Sequence, residues 1–321
     1  MNASAISPPV KLGLIGAGRW GRAYIQTIQD LPGIELRAIA SRNPVTASLV
    51  EPSCVMTQDW HTLIARSDLD GVIIATPPAL HAEMAEAAIL SRKPVLVEKP
   101  LTMDIGQAER LLDLQRSQDG LVVVDHTHLF SPAFRELKRR SMSSTTSSVS
   151  ISSAAGNRGP FRTNVPVLWD WASHDVAMIL ALLGLYPTTI TARRTELQSL
   201  VDGIGESVAI ELTFERDIAA DIRVSNMLPR KMRRFEVRTD DGVWIYDDVG
   251  NNKLVEDKGE GPKPIALDDA LPLTVAVEEF CRAINGATNG HKAGRSLALG
   301  VDVVRILADC QVQLDGQSEP T

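Results

Sequence analysis

A short apolar segment that ends in closely spaced glycines lies near the start of the chain. The run 10–15 is followed by Gly16, Gly18 and Gly21 in the spacing GxGxxG, and then by a segment with helical periodicity. A strand, a glycine turn and a helix are the context in which this motif holds the pyrophosphate of a dinucleotide at a helix N-terminus. The motif therefore predicts a dinucleotide site that includes Gly16, Gly18, Arg19, Trp20 and Gly21.

The composition limits the class of protein. The chain has 321 residues, of which 44% are hydrophobic and 23% charged, and this is ordinary for a soluble globular protein of about two domains. The net charge of −7 argues against nucleic acid as the main partner, since phosphate binding requires a basic surface. No apolar run approaches the roughly 20 residues needed to cross a bilayer, so we expect no membrane partner.

The cysteines and the N-terminus indicate the compartment. Cys54, Cys281 and Cys310 are far apart and form no CxxC pair. This spacing disfavours a disulfide framework or a zinc site and fits a reducing environment. Residues 1–9 lack the basic start and apolar core of a signal peptide. We therefore predict a cytoplasmic protein.

Strands and helices alternate through the first part of the chain. Apolar runs at 34–40, 71–76, 94–97 and 121–125 are separated by segments with helical periodicity. This alternation predicts a doubly wound parallel sheet, the α/β Rossmann fold, over residues 1–126.

Residues 127–321 have a different pattern. After Thr188, short strand-like runs are joined by tight turns, and Asp241-Gly242 is a strong hairpin signal. Consecutive hairpins predict an α+β domain with an open, largely antiparallel sheet, for substrate binding and oligomerisation. A basic group falls between two of the predicted strands, and we interpret it as a solvated edge, with contact to a substrate phosphate as the alternative: Arg230, Lys231, Arg233 and Arg234.

The end of the second predicted strand bears on the choice of cofactor. An acidic residue about 20 positions after the last glycine would bind the ribose 2′-hydroxyl of NAD, but Ser41 and Arg42 stand there. A guanidinium suits a 2′-phosphate through charge-assisted hydrogen bonds, so we favour NADP over NAD. The alternative is that Arg42 stacks on the adenine and NAD binds.

Polar residues follow three further predicted strands, where the ligand crevice of such a sheet lies. A lysine at this place, Lys99, has the chemistry to hydrogen-bond a substrate hydroxyl, although a solvated surface charge is the usual role of a single lysine. We assign to the cofactor site Thr76, Pro77, His81, Glu98 and Lys99, and to the substrate site His126 and His128.

A second cluster lies between residues 157 and 183. Asp170 and His174 are four residues apart, and this spacing places them on one face of the predicted helix 168–183. A carboxylate beside an imidazole orients the ring, which then takes a hydroxyl proton while a hydride leaves carbon. The alternative is a buried pair with a structural role. Trp169 and Asn164, the latter in a predicted loop over the site, complete the substrate-binding residues.

These motifs together resemble the glucose–fructose oxidoreductase / inositol dehydrogenase family, written Gfo/Idh/MocA. The likeness covers almost the whole chain: the glycine motif, a Thr-Pro-Pro strand end, Glu98-Lys99-Pro100 and a DxGxH-like segment at 170–174. The resemblance implies that Lys99, Asp170 and His174 surround the nicotinamide and the substrate. It implies that His174 is the general acid/base, that Lys99 assists, and that Asp170 orients the substrate or the histidine.

The resemblance also implies a substrate and an assembly. The runs 125–132 and 168–175 look like those of sugar and sugar-nucleotide oxidoreductases, which indicates a hydroxyl or keto carbon of a sugar-like molecule. Two residues depart from the family pattern: Ala172 replaces the usual glycine, and Ala177 stands where many members have an acid. Family members commonly pair through the open face of the C-terminal sheet, so a homodimer or homotetramer is expected.

Two other classes of protein remain as alternatives. A non-catalytic protein with this fold would sense a dinucleotide or a sugar, since fold does not fix function. A metal-dependent hydrolase is disfavoured, because His81, His126 and His128 lack HExxH-like ligand spacing. We therefore predict an NAD(P)-dependent dehydrogenase or reductase without a metal.

Overall fold

The structure is a computed structural model. It describes residues 9–142, 148–161, 165–216, 218–286 and 291–317, of which 291–295 are described only in their backbone. The chain divides into two compact units. The first comprises Met1–Asp125 and Leu273–Val301, and the second comprises His126–Pro272 and Asp302–Thr321.

A parallel sheet forms the centre of the first unit. Its six strands are β1 (Val10–Ile15), β2 (Ile34–Ala40), β3 (Val55–Thr57), β4 (Gly71–Ile74), β5 (Val95–Glu98) and β6 (Val122–Asp125). They lie in the order β3-β2-β1-β4-β5-β6, and every neighbouring pair is parallel. This is the strand order of a doubly wound dinucleotide-binding sheet, so the predicted Rossmann fold is confirmed.

Four helices connect these strands: α1 (Arg19–Gln29), α2 (Trp60–Ile64), α3 (His81–Leu90) and α4 (Ile105–Gln118). α1 buries Tyr24, Ile25 and Ile28, which return at helical spacing. The Asp59 carboxylate accepts a hydrogen bond from the N–H of His61 and caps α2, and Asp104 caps α4 in the same way. The short edge strand β3 was not predicted, because three residues are too few to show a periodicity.

The second unit begins with α5 (Pro132–Ser141), β7 (Val149–Arg158), one turn of π-helix (Leu168–Ala172) and α6 (Ser173–Leu183). Seven strands follow: β8 (Thr189–Leu200), β9 (Gly203–Thr213), β10 (Ala219–Ser225), β11 (Met227–Thr239), β12 (Gly242–Asp247), β13 (Leu254–Asp257) and β14 (Lys263–Pro264). With β7 they form an eight-stranded sheet in the order β14-β13-β12-β11-β7-β10-β9-β8.

This second sheet is antiparallel except at one place. β7 and β10 are parallel neighbours, and the other pairs are antiparallel, so the predicted open, largely antiparallel sheet is confirmed. One face is apolar and buried: Ile210 of β9, Ile222 of β10 and Phe235 of β11 lie on it. The opposite face carries polar residues that alternate with these along each strand.

Two helices complete the described chain, α7 (Pro272–Ile284) and α8 (His291–Asp315). Phe280 and Ile284 of α7 fill the space beside Gly71 of β4. The segment 273–301 therefore groups with the first unit, whereas the sequence division at residue 126 assigns it to the second domain. Farther along α8, the Gln313 side chain accepts from the Ala192 N–H and donates to the Ile190 carbonyl of β8. In the part of the chain that the structure describes, no helix has the length and apolarity to cross a membrane.

Candidate active site

At two glycines of the turn between β1 and α1, a backbone carbonyl lies too close to leave room for a side chain. Gly16 has φ of +97°, and a Cβ there would lie 2.6 Å from the Ala75 carbonyl oxygen. A Cβ on Gly21 would lie 2.1 Å from the Gly16 carbonyl oxygen, so α1 packs directly on the turn. Gly18 has open space where its Cβ would be, and it stands at the N-terminal end of α1. The backbone here is accessible to a ligand beside free helical N–H groups.

A cavity of about 690 Å³ lies over this turn. Six of the predicted cofactor residues line it: Gly16, Gly18, Ser41, Arg42, Thr76 and Pro77. Several other residues line the cavity without having been predicted from the sequence, among them Arg22, Asn43, Gln58, Trp60 and Met84. The sequence spacing could have predicted Arg22, since it stands four residues after Gly18 and thus one helical turn along the same face.

Two arginines give this cavity a positive lining. Within the described ranges, neither the Arg22 nor the Arg42 guanidinium makes a hydrogen bond or an ion pair with another residue, and no carboxylate lines the cavity. The Ser41 hydroxyl lies 2.8 Å from that of Thr46 and accepts the Asn43 N–H at 3.2 Å. The two guanidiniums are therefore available to an anionic ligand.

The remaining predicted cofactor residues do not line the cavity. Arg19 and Trp20 are exposed on α1, and Gly21 is buried against Gly16. His81 is buried, with Nδ1 2.9 Å from the Pro100 carbonyl oxygen and Nε2 2.8 Å from that of Thr76. Burial lowers the pKa of His81, so the neutral ring donates its N–H to one of these carbonyls at a time.

Lys99 and Glu98 end up in different surroundings although they are adjacent. Lys99 is half-buried just after β5, and its peptide bond to Pro100 is cis. Glu98 is buried and pairs in register with Asp125 of β6. The Tyr24 hydroxyl donates a hydrogen bond of 2.5 Å to the Asp125 carboxylate.

The two buried carboxyl groups repel each other when both are charged. Burial raises the pKa of Glu98 well above its usual range, and the neighbouring Asp125 raises it further. Burial and Asp125 likewise raise the pKa of Tyr24. In the folded protein Glu98 therefore releases its proton at a higher pH than an exposed glutamate does.

The second unit brings two of the predicted substrate residues together. The His174 ring, 8% exposed, lies edge-to-face against the half-buried His128 ring, with 4.8 Å between centroids. The His128 Nδ1 lies 2.8 Å from the Tyr246 hydroxyl. Burial raises the pKa of Tyr246, so this phenol stays protonated, and its O–H donates to the Asp248 carboxylate at 3.4 Å.

The other predicted substrate residues differ in exposure. Asp170 is half-buried within the π-helical turn, whereas Trp169 is buried and donates its indole N–H to Gln311 at 3.0 Å. His126 is buried. Asn164 lies outside the described residues. The π-helical turn was not predicted, because a hydrophobic pattern does not distinguish it from an α-helix.

Asp175, the residue after His174, belongs to a buried ion pair that the sequence pattern does not predict. The Arg233 guanidinium, 3% exposed, donates to the Asp175 carboxylate at 2.9 Å, and the Ser153 hydroxyl donates to the same oxygen at 2.5 Å. Arg233 also lies 5.8 Å from the centre of the Trp171 ring. The interpretation of the basic group as a solvated edge is thus wrong for Arg233, which lies inside β11 and faces the core. Burial raises the pKa of Asp175, and Arg233 opposes this shift.

Comparison with known proteins decides the family. Residues 10–126 match Gfo/Idh/MocA, described as an oxidoreductase family with an NAD-binding Rossmann fold. A crystal structure from Magnetospirillum magnetotacticum MS-1, of a protein provisionally described as an oxidoreductase, is 39% identical in sequence. It covers 94% of this chain and 99% of its own, with a TM-score of 0.85. The chain belongs to the Gfo/Idh/MocA family.

Characterised relatives in Gfo/Idh/MocA act on different substrates. Inositol 2-dehydrogenase of Rhizobium meliloti is 27% identical, over 94% of this chain and 97% of its own. UDP-N-acetylglucosamine 3-dehydrogenase of Acidithiobacillus ferrooxidans is 24% identical, over 86% and 88% respectively. A 4-carboxy-2-hydroxymuconate-6-semialdehyde dehydrogenase of Sphingobium is 26% identical, over 96% and 100%. The protein is thus an NAD(P)-binding oxidoreductase of Gfo/Idh/MocA.

The raised pKa of Glu98 makes the stability of this Gfo/Idh/MocA protein depend on pH. The folded state keeps a proton that the unfolded chain releases above about pH 4.5. The free energy of unfolding therefore falls as pH rises, by about 1.4 kcal/mol per unit until the raised pKa is reached. Glu98→Gln removes this dependence. In urea unfolding between pH 5 and pH 8, the free energy of unfolding of the variant should rise relative to that of the wild type as pH rises. Glu83→Gln, at an exposed position of α3, is the control. If the free energies of unfolding of Glu98→Gln and the wild type change with pH in parallel, the assignment of a raised pKa to Glu98 is wrong.

Removing Arg233 should strongly destabilise the second unit. Arg233→Met leaves the Asp175 carboxylate buried without its counter-charge and should reduce the free energy of unfolding by roughly 3–5 kcal/mol. Arg139→Met, at an exposed arginine of α5 that pairs with Glu136, should change it by less than about 1 kcal/mol. The double variant Asp175→Asn, Arg233→Met should recover part of the loss, since no charge is then buried. If Arg233→Met and Arg139→Met lower the free energy of urea unfolding equally, the buried ion pair contributes no more to stability than the exposed one.

Proposed function

We propose that the protein is an NADP-dependent dehydrogenase or reductase that acts on a hydroxyl or keto carbon of a sugar-like molecule. The observation that carries the proposal is the cavity at the glycine turn, where two arginines without an ionic partner in the described chain meet an open helix N-terminus. An enzyme of this family that binds a dinucleotide uses it to accept or supply a hydride.

The residues around the cavity fit a phosphorylated dinucleotide. The missing side chain at Gly18 leaves space for a pyrophosphate beside the N–H groups of α1, where the helix dipole favours an anion. Arg42 directly follows Ser41 at the end of β2, the strand end that meets the adenosine ribose in this fold. A 2′-phosphate brings about two negative charges to this place, and a guanidinium binds it more strongly than it binds a hydroxyl. This supports NADP over NAD.

Three side chains are proposed to handle the substrate. In the direction of oxidation, a bound nicotinamide would supply the hydride acceptor for the carbinol carbon, and a ring nitrogen of His174 takes the hydroxyl proton. Lys99 hydrogen-bonds the same oxygen, and Asp170 orients the substrate or the imidazole. The burial of His174 and its contact with His128 support this role, since a proton acceptor shielded from water keeps a fixed orientation.

The substrate class is proposed from the relatives. Two of them are named for a cyclic polyol and a nucleotide sugar, and their names support a sugar-like substrate here. The Sphingobium relative is named for a semialdehyde and matches over a similar share of the chain, so a carboxylated semialdehyde is the competing class. A reaction panel that contains inositols, nucleotide sugars and carboxylated semialdehydes distinguishes the two.

Cofactor selectivity should depend on Arg42. Arg42→Ala removes a charge-assisted bond to the 2′-phosphate and should weaken NADPH binding by about 10- to 100-fold, with less than about a threefold change for NADH. Arg22→Ala should weaken both cofactors, since both carry the pyrophosphate. Arg19→Ala, an exposed arginine outside the cavity, is the matched control. Fluorescence titration measures the affinities of the wild type and the three variants for both cofactors, and an equal loss of NADPH and NADH affinity in Arg42→Ala would refute the preference for NADP.

Turnover should depend on His174 and Lys99 while cofactor binding does not. His174→Gln and Lys99→Met should each lower kcat by roughly 10²- to 10⁴-fold, as for a lost general acid/base. NADPH affinity should stay within about threefold of wild type, which shows that the variants are folded. Absorbance of the reduced nicotinamide with an active substrate measures kcat. If the wild type binds NADPH but turns over nothing in the panel, the non-catalytic sensor becomes the better proposal.

A further inference from the structure

A line of polar side chains leads away from His174 within the second unit. The His174 ring of α6 lies edge-to-face against the ring of His128, which belongs to the short helical turn Thr127–Phe130. The His128 Nδ1 lies 2.8 Å from the Tyr246 hydroxyl, and this hydroxyl lies 3.4 Å from an oxygen of the Asp248 carboxylate. Three separate parts of the chain thus contribute titratable groups to one line.

The hydrogen bonds along this line have one direction. The Tyr246 O–H donates to Asp248, so the Tyr246 oxygen accepts from the Nδ1–H of His128. A neutral imidazole that carries its proton on Nδ1 has Nε2 as its proton acceptor. The His128 ring therefore has the tautomer that takes a proton at one nitrogen and releases one from the other, in the direction of Asp248.

The two ends of the line differ in their access to water. His174 and Tyr246 are buried, whereas the Asp248 side chain is 29% exposed and lies 3.6 Å from the ammonium group of Lys231, which is 56% exposed. The Asp248 N–H donates to the Arg233 carbonyl at 3.1 Å, and this bond holds Asp248 at the end of β12. A proton that arrives at Asp248 therefore reaches water.

The substrate site itself offers this proton a poor way out. A substrate bound at His174 excludes water from the imidazole, so a proton that the ring has accepted stays there until the site opens. A path through the interior of the second unit removes the proton while the site is still closed.

We propose that His128, Tyr246 and Asp248 form a proton relay between His174 and the surface of the second unit. The proposal rests on the proposed function, because the relay carries the proton that His174 takes from the substrate hydroxyl. Tyr246 and Asp248 act through His128, by positioning its Nδ1 proton for release.

One proton moves along the relay in each turnover. The ring proton of the His174 imidazolium passes to the Nε2 of His128, directly or through one water, since the two ring centres are 4.8 Å apart. The His128 Nδ1 proton moves to the Tyr246 oxygen as the Tyr246 hydroxyl proton moves to the Asp248 carboxylate, so the phenol is never ionised. Asp248 then releases its proton to water. After the product leaves, exchange with water returns the half-buried His128 ring to its starting tautomer.

Asp248 is the proton acceptor among the groups around the Tyr246 phenol. The Ser131 hydroxyl also hydrogen-bonds to the phenol, and the Arg233 guanidinium acts on it electrostatically. A neutral hydroxyl is a weaker acceptor than a carboxylate, and a guanidinium accepts no proton. The 3.4 Å between Tyr246 and Asp248 is long for an O–H···O bond, and such bonds between catalytic groups often shorten once the substrate is bound.

The tautomer of His128 tests the relay without a substrate. NMR spectra of protein with isotope-labelled histidine distinguish the two neutral tautomers, and the spectrum of His128→Gln identifies the His128 signal. At a pH where the ring is neutral, we expect the wild type to carry the proton on Nδ1. Tyr246→Phe removes the acceptor of that proton and should shift it to Nε2. A wild-type ring with its proton on Nε2, or an unchanged tautomer in Tyr246→Phe, would overturn the relay.

Kinetics with an active substrate test the transfer itself. Tyr246→Phe and Asp248→Asn should each lower kcat by about 10- to 100-fold and leave KM within about twofold, because His174 then loses its proton slowly. Imidazole added to the buffer reaches the half-buried His128 and carries the proton instead, so it should restore kcat to within about threefold of wild type. A buffer does not replace a side chain whose role is structural. Tyr186→Phe, at an exposed tyrosine outside the relay, is the control and should leave kcat unchanged.

The outcomes separate the relay from the proposed function. Unchanged kcat in Tyr246→Phe, or a reduced kcat that imidazole does not restore, would overturn the relay and leave the proposed function standing. A wild type that turns over nothing in the panel would overturn both, since the relay then has no proton to carry. Circular dichroism and NADPH affinity verify that every variant is folded.

Discussion

The approach of α1 to the glycine turn is the constraint on which the first unit depends. At Gly21 the helix lies so close to the Gly16 carbonyl that even one methyl group would meet it at 2.1 Å. This contact fixes where the helix begins and therefore where its unpaired N–H groups point. The cavity, its two arginines and the ends of β2 and β4 are arranged around that point. The close contact at Gly21 and the open space at Gly18 are thus parts of the same turn.

The two units treat buried charge in opposite ways. In the first, Glu98 and Asp125 are like groups on neighbouring strands; the pKa of Glu98 is raised, and the Tyr24 hydroxyl donates to Asp125. In the second, Asp175 meets Arg233, and a serine hydroxyl donates to the carboxylate as well. Both clusters stand next to a proposed catalytic residue, Lys99 in one case and His174 in the other. The neighbours of the proposed proton-handling groups are therefore held rigidly by polar contacts inside the core.

The sequence predicts the parts of this structure that are set by local chemistry. The spacing of Gly16, Gly18 and Gly21 and the alternation of apolar runs are sufficient for the parallel sheet, because each feature is contained in a few consecutive residues. The partnership of Asp175 with Arg233 spans 58 positions and leaves no local signal. A run of four basic residues looks the same in sequence whether one of them turns inward or all face water. The burial of His81 and Glu98, both expected at the cofactor, is likewise decided by packing that the sequence pattern does not show.

The parallel pairing of β7 with β10 has a consequence for the order in which the chain folds. β8, β9 and β10 follow one another as antiparallel neighbours and form their contacts over short loops, whereas Ser150 reaches Ala219 only across the whole intervening segment. Closing a longer loop loses more chain entropy, so the meander of β8, β9 and β10 forms at a lower entropic cost than the pairing of β7 with β10. During synthesis, β7 leaves the ribosome well before either of its neighbours exists. Until β10 and β11 are synthesised, β7 has neither of the strands that pair with it in the folded sheet, and its exposed Ser150 and Ser152 give it one polar side.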